Sequence, residues 1–139
     1  MSTTMFLNLP VKDLAVSKEF FTRVGFTFDD EFTDENAACL VIEEGHLYAM
    51  LLTESYFQTF TDKQVADTAT ASEAIAALGV ASRERVDELA DKALAAGARA
   101  TGEPADQGFM YGRGFEDPDG HLWEVFTMDL DAMRAQQAD

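Results

Sequence analysis

Residues 5–25 read MFLNLPVKDLAVSKEFFTRVG, and residues 74–97 read AIAALGVASRERVDELADKALAAG. Met5–Val11 is apolar at nearly every position, with Asn8 the polar exception, and reads as a strand. Asp13 stands where a helix N-cap belongs, and Leu14, Phe20, Phe21 and Val24 form an apolar stripe at helical spacing. Gly25 then supplies the left-handed residue that ends such a helix. The second stretch repeats this order, with a strand over Ala74–Val80, Ser82 as N-cap and Gly97 as the stop. Its helical stripe is Val86, Leu89, Ala90, Ala93 and Leu94. One supersecondary unit occurring twice in a chain is an internal repeat.

Working outward, each helix is followed by three strand-like runs. After the first come Phe26–Phe32, Ala38–Ile42 and Leu47–Leu52, with turn signals at Asp34-Glu35-Asn36 and Glu44-Gly45. After the second come Ala98–Thr101, Phe109–Phe115 and Leu122–Met128. Asp117-Pro118-Asp119-Gly120 joins the last two, a turn in which Pro sets φ and Gly accepts φ > 0. Each half is therefore βαβββ. A helix covers one face of such a sheet and leaves the other open, and two open faces curved together make a cup suited to a small molecule. The expected fold is α+β, two βαβββ modules forming a curved mixed sheet around a cup-shaped pocket. Module one spans about 5–53, a linker 54–72, module two 73–128 and a tail 129–139, all within a single domain. The linker is polar and Thr-rich, reads as a short helix followed by a connecting stretch, and opens on Tyr56, Phe57 and Phe60, which act either as a lid or as packing between the halves.

Composition narrows the function. The chain has 139 residues, enough for one well-packed domain. Its formal charge is −16, which argues against a phosphate backbone or an anionic membrane surface as partner. Aromatic content of 11% with 11 Phe excludes a disordered acidic tail. Cys39 is the one cysteine, so no internal disulfide forms and nothing demands an oxidising compartment. With no basic leader at the start and no apolar run of membrane length, a cytoplasmic location is the expectation.

Three features together resemble the vicinal oxygen chelate superfamily, the group of glyoxalase I, bleomycin-resistance proteins and type I extradiol dioxygenases. They are Leu9-Pro10-Val11-Lys12-Asp13-Leu14, the helix ending at Gly25-Phe26, and Phe115-Glu116-Asp117-Pro118-Asp119-Gly120-His121-Leu122-Trp123-Glu124. The resemblance covers about Met5 to Met128. It implies a homodimer and a metal site with one ligand on the first and one on the last strand of each half. Carried onto this sequence, those ligand positions fall at Phe6, Met50, Ile75 and Glu124. Only Glu124 donates to a hard or borderline cation, since a thioether suits soft Cu(I) and the other two side chains have no donor. The expectation is therefore no metal and no other cofactor.

By strand alternation, Phe6, Asn8, Tyr48, Met50, Ile75, Tyr111 and Phe115 share the cup face of Glu124. Leu52, Ala77, Leu122 and Phe126 complete that face, while Leu7, Leu9, Leu51, Ala76, Leu78, Trp123 and Val125 face the helices. Counting back across the Asp117–Gly120 turn sets Arg113 opposite Glu124. The two either grip a ligand's polar group or form a cross-strand ion pair. His121 either donates a proton or bonds the turn. The expected function is a metal-independent small-molecule binder that sequesters or senses an aromatic or cationic compound. The alternative is a lyase, isomerase or dioxygenase with a shifted metal site built on Glu124 and His121.

Overall fold

A computed structural model describes residues 3–137. The chain divides between Ala71 and Ser72 into two compact units. The first unit contains β1 (Met5–Val11), α1 (Leu14–Val24), β2 (Thr27–Asp29), β3 (Ala37–Glu43), β4 (Leu47–Thr53) and α2 (Glu54–Gln58). Its sheet runs β1-β4-β3-β2, with β1 parallel to β4 and the other pairs antiparallel. Pro10 lies on β1, an edge strand, where a missing N–H is tolerated.

Local chemistry sets the ends of α1. The Asp13 carboxylate accepts the backbone N–H groups of Ala15 and Val16 at 3.0 and 3.3 Å. Gly25, at φ 114°, closes the helix by donating its N–H to the carbonyls of Phe21 and Thr22. Phe20, Phe21 and Val24 are buried, as are Leu9, Val11, Leu40, Ala49 and Leu51 of the sheet face beneath them. Burying each large side chain of this kind contributes roughly 1.5–3 kcal/mol. The strand expected over Phe26–Phe32 stops early. Asp29 caps the Glu31 N–H at 3.0 Å and the Thr33 hydroxyl donates to the Asp29 carbonyl at 2.7 Å, turning Asp30–Phe32 into a single 3-10 turn.

The second unit contains β5 (Ile75–Gly79), α3 (Arg83–Ala95), β6 (Arg99–Ala100), β7 (Ala105–Asp106), β8 (Met110–Glu116), β9 (Leu122–Met128) and α4 (Leu130–Gln137). Its sheet runs β5-β9-β8-β6, with β7 also on β8 and β5 parallel to β9. The permutation matches the first unit, first strand beside last, so the sequence repeat is a structural repeat. Ser82 caps α3 through the Arg85 N–H at 3.1 Å. Val86, Leu89, Ala90 and Ala93 of α3 are buried, and so are Phe115, Trp123 and Val125 of the sheet face that α3 packs on.

Two elements were not in the expectation. The two-residue β7 extends the β6 edge along β8. The tail begins with a helix, α4, which Asp129 starts by accepting the Ala132 N–H at 3.0 Å. Among the described residues no helix is long and apolar enough to cross a membrane.

Candidate functional site

The β8–β9 hairpin sets the geometry of the candidate site. Its register pairs Glu116 with Leu122, Phe115 with Trp123, Gly114 with Glu124, Arg113 with Val125 and Gly112 with Phe126. The Asp117 N–H reaches the His121 carbonyl at 3.0 Å and Gly120 donates to the Asp117 carbonyl at 2.9 Å, so the connection comprises residues 117–121. Counting the turn as Asp117–Gly120 alone slips the register by one residue, and such a slip moves a strand's side chains to the other face. This corrects three expected cup residues. Tyr111, Arg113 and Phe115 lie on the face that carries Trp123 and Val125, beneath α3, and Gly114 stands opposite Glu124.

The helix-covered face is satisfied by an ion network. Arg113 Nη1 donates to Asp87 Oδ1 at 3.0 Å and to Asp91 Oδ1 at 2.9 Å, and the Tyr111 hydroxyl donates to Asp87 Oδ1 at 2.6 Å. The Tyr111 hydroxyl and then Arg113 hold the Asp87 carboxyl below its ordinary range. Arg83 grips Asp106 with both terminal nitrogens, at 2.9 and 2.7 Å, and lies 4.9 Å from the centre of the Tyr111 ring. That grip, with the Gly108 N–H, pulls the Asp106 carboxyl down to about 2. Arg113 is thus committed on this face and is not paired with Glu124.

His121 is buried, its ring Nδ1 3.2 Å from Glu73 Oε1. Its backbone N–H donates to Asp117 Oδ1 at 3.0 Å, and Asp117 Oδ2 accepts the Trp123 indole N–H at 3.0 Å. Burial pushes the Asp117 carboxyl up despite these donors. The turn is therefore a packed polar knot, and His121 is not among the residues lining the cavity described next.

The open face of the second unit carries Ile75, Leu122, Gly114 and Glu124 around a cavity of about 330 Å³. The far wall is Thr101 and Glu103 of the segment that links β6 to β7, with Ala105 at the start of β7. Gly112 and Gly114 lie alternately on β8, where neighbouring side chains approach the strand too closely for a Cβ. A Cβ on Gly114 would collide with the Thr101 hydroxyl oxygen, and one on Gly112 would sit 3.2 Å from Phe126 Cβ. Glu124 is exposed, and neither its carboxylate nor that of Glu103 has a hydrogen bond or ion pair among the described residues. Thr101, Glu103, Gly112 and Gly114 were not singled out from sequence. The spacing Gly112-Arg113-Gly114 was the available signal, since alternate glycines strip one strand face.

The open face of the first unit is aromatic. In the β1–β4 register Phe6 stands beside Tyr48 and Asn8 beside Met50, as alternation predicts. The Phe6 and Tyr48 rings stack at 4.6 Å between centroids, 9° apart, while Phe6 is 49% exposed. Asn8 Nδ2 donates to the Phe6 carbonyl at 3.1 Å. Tyr56 and Phe60 meet edge to face at 5.1 Å, in and just beyond α2, which packs on β1 and β4.

The four expected metal-ligand positions can be tested for fit. Phe6 and Ile75 present apolar side chains to their open faces, Met50 a thioether, and Glu124 one carboxylate. Among the described residues no group of three or more His, Cys, Asp or Glu could hold a metal ion. This donor set does not fit a zinc, iron or manganese centre.

A family model described as Glyoxalase/Bleomycin resistance protein/Dioxygenase superfamily matches residues 4–125. Among solved structures, a hypothetical protein from S. aureus is 28% identical, with a TM-score of 0.75 over 91% of this chain and 94% of that one. TnmS3, an antibiotic binding protein from Streptomyces, is 17% identical with a TM-score of 0.66, covering 93% of this chain and 98% of its own. The fosfomycin resistance protein FosX from Mesorhizobium loti is 15% identical with a TM-score of 0.69, covering 96% and 98%. The last two likenesses are likenesses of fold. No curated protein matches the sequence significantly.

Proposed function

The chain belongs to the glyoxalase/bleomycin resistance protein/dioxygenase superfamily, and from that footing we propose that it is a metal-independent small-molecule binding protein. It takes an aromatic or cationic compound on its open sheet faces and sequesters or senses it. The observation that carries this reading is the donor set: three of the four metal-ligand positions are Phe6, Met50 and Ile75, while Glu124 keeps its carboxylate. The cavity beside Glu124 and the exposed Phe6–Tyr48 stack support it, since ligand sites are mainly apolar with a few polar groups that fix orientation. That an antibiotic binding protein and a fosfomycin resistance protein share the fold supports a small organic ligand as its class. A homodimer in the cytoplasm, folded as one domain, belongs to the same reading, and sedimentation velocity checks its dimeric part.

The test is a small-molecule screen by backbone amide NMR with a chelator present throughout. The reading expects compounds that shift Leu122, Glu124 and Phe126 or Phe6 and Tyr48, while Trp123 and Val125 stay in place. Binding that occurs only when the chelator is omitted and a divalent metal is added would overturn it.

A further inference from the structure

We propose that the second unit carries a further ligand site, in the cavity bounded by α3, β8, β9 and α4, for a zwitterion of the amino-acid type. Arg134 takes its carboxylate, Asp131 its ammonium, and exposed apolar side chains its tail. The site is separate from the open sheet faces and goes beyond the reading given above.

A cavity of about 660 Å³ lies where the start of α3, the start of β8 and the end of β9 meet α4. Tyr111 and Thr127, paired across the hairpin, line it from the face that carries Val125, opposite the face of Glu124. The family match ends at residue 125, and the wall from Thr127 to Arg134 follows it, so the elements that complete this cavity lie outside the matched residues. Local bonds hold the walls in place. The Asp129 N–H donates to the Phe109 carbonyl at 2.7 Å while its carboxylate caps α4, which pins the start of that helix to β8. Arg83, gripped by Asp106 and lying over the Tyr111 ring, gives the opposite wall a fixed surface whose charge is already answered.

The uncommitted charges define the ligand. The Arg134 guanidinium and the Asp131 carboxylate both line the cavity, and neither has a hydrogen bond or ion pair among the described residues. They stand at i and i+3 on α4, where neighbouring side chains start about 5–6 Å apart at Cβ. A simple anion would meet Asp129 and Asp131, and a simple cation would meet Arg134. A molecule that carries both charges close together is attracted at both ends. Arginine also binds a carboxylate through two parallel N–H donors, which fixes the ligand's direction. Phe109, Met128 and Leu130 supply the apolar part of the wall, the last two 39% and 48% exposed, and a ligand's apolar side chain would cover them. The volume lies within the range of ligand clefts and admits an amino acid with an aromatic side chain.

The test uses the untagged full chain, L-phenylalanine as probe and backbone amide NMR as readout. Phenethylamine keeps the ring and the ammonium alone, and hydrocinnamate keeps the ring and the carboxylate alone. The expected result is saturable shifts at Phe109, Met128, Leu130 and Arg134, with each single-charge analogue about tenfold weaker. Arg134→Ala should weaken phenylalanine binding about tenfold and Asp131→Asn by somewhat less. Glu35→Gln removes a carboxylate from an exposed position of the first unit and should change nothing. No saturation, equal binding of either analogue, or unchanged affinity in Arg134→Ala would overturn the proposal. Saturable shifts confined to Leu122, Glu124 and Phe126 would overturn this inference alone and leave the open-face reading standing. Metal-dependent binding on the open faces would overturn that reading, while phenylalanine shifts around α4 that persist with a chelator would still support this one.

Discussion

The two faces of the β8–β9 hairpin are made from alternating residues of the same strands, yet their polar chemistry differs. On the face beneath α3, Tyr111, Arg113 and the Trp123 indole each have a named partner, in Asp87, Asp91 or Asp117. On the open face, Glu124 has none among the described residues, and two positions of β8 carry glycine. A buried polar group without a partner is costly, so the covered face can hold only groups that satisfy one another. An exposed carboxylate bears no such cost and can be kept for a ligand. The contrast separates residues that hold the unit together from residues free to recognise something.

The largest effects should fall on the covered face. Trp123→Ala removes a side chain that is 2% exposed and should cost about 3–5 kcal/mol in chemical denaturation. A loss below about 1 kcal/mol would mean that α3 does not pack on this face as described. Arg113→Ala should cost about 1–2 kcal/mol, because the Arg113 side chain is only 17% exposed although its partners Asp87 and Asp91 are solvent-facing, and should leave ligand binding on the open face unchanged. An affinity loss there would restore Arg113 as a ligand anchor and blur the two faces. Glu124→Gln should do the reverse, altering stability by less than about 0.5 kcal/mol while weakening binding.

Acid and base behaviour sharpens the same contrast. Burial raises the Asp117 carboxyl, so folding favours its protonated form relative to the unfolded chain. Its contribution to stability is therefore full below the ordinary carboxylate range and is lost as pH rises through the raised value. The stability of the wild type relative to Asp117→Asn should fall as pH climbs through that window, as read by urea denaturation at a series of pH values. Asp87, lowered by Tyr111 and Arg113, has the opposite sign: its contribution is present above the ordinary range and lost as pH drops through the lower value. The smallest effect is local. Arg83→Ala should return the Asp106 carboxyl from about 2 towards the ordinary carboxylate range, seen by carbon-detected NMR titration with little change in stability.

Much of the fold was legible in the sequence because the signals were local. Asp13, Gly25 and Ser82 cap the helices where their side-chain chemistry requires, and the apolar stripes of α1 and α3 point to the sheets they cover. The repeat then carried the strand order. The site was less legible because it depends on register. One residue more in the connection, with His121 drawn into it, exchanged Arg113 for Gly114 opposite Glu124 and removed Tyr111 and Phe115 from the open face. No periodicity in a short hairpin reports that difference. β7 was too short to announce itself, and α4 carried an N-cap at Asp129 in a segment read only as a tail.

The central claim is that this chain binds its ligand without a metal, and metal content tests it most directly. Untagged protein would be incubated with Fe, Mn, Ni and Zn, freed of excess ion and measured by mass spectrometry beside Glu124→Ala. The account predicts metal well below stoichiometry in both proteins. Near-stoichiometric metal in the wild type that is lost in Glu124→Ala would contradict it, and would return the chain to the metal-dependent branch of its family.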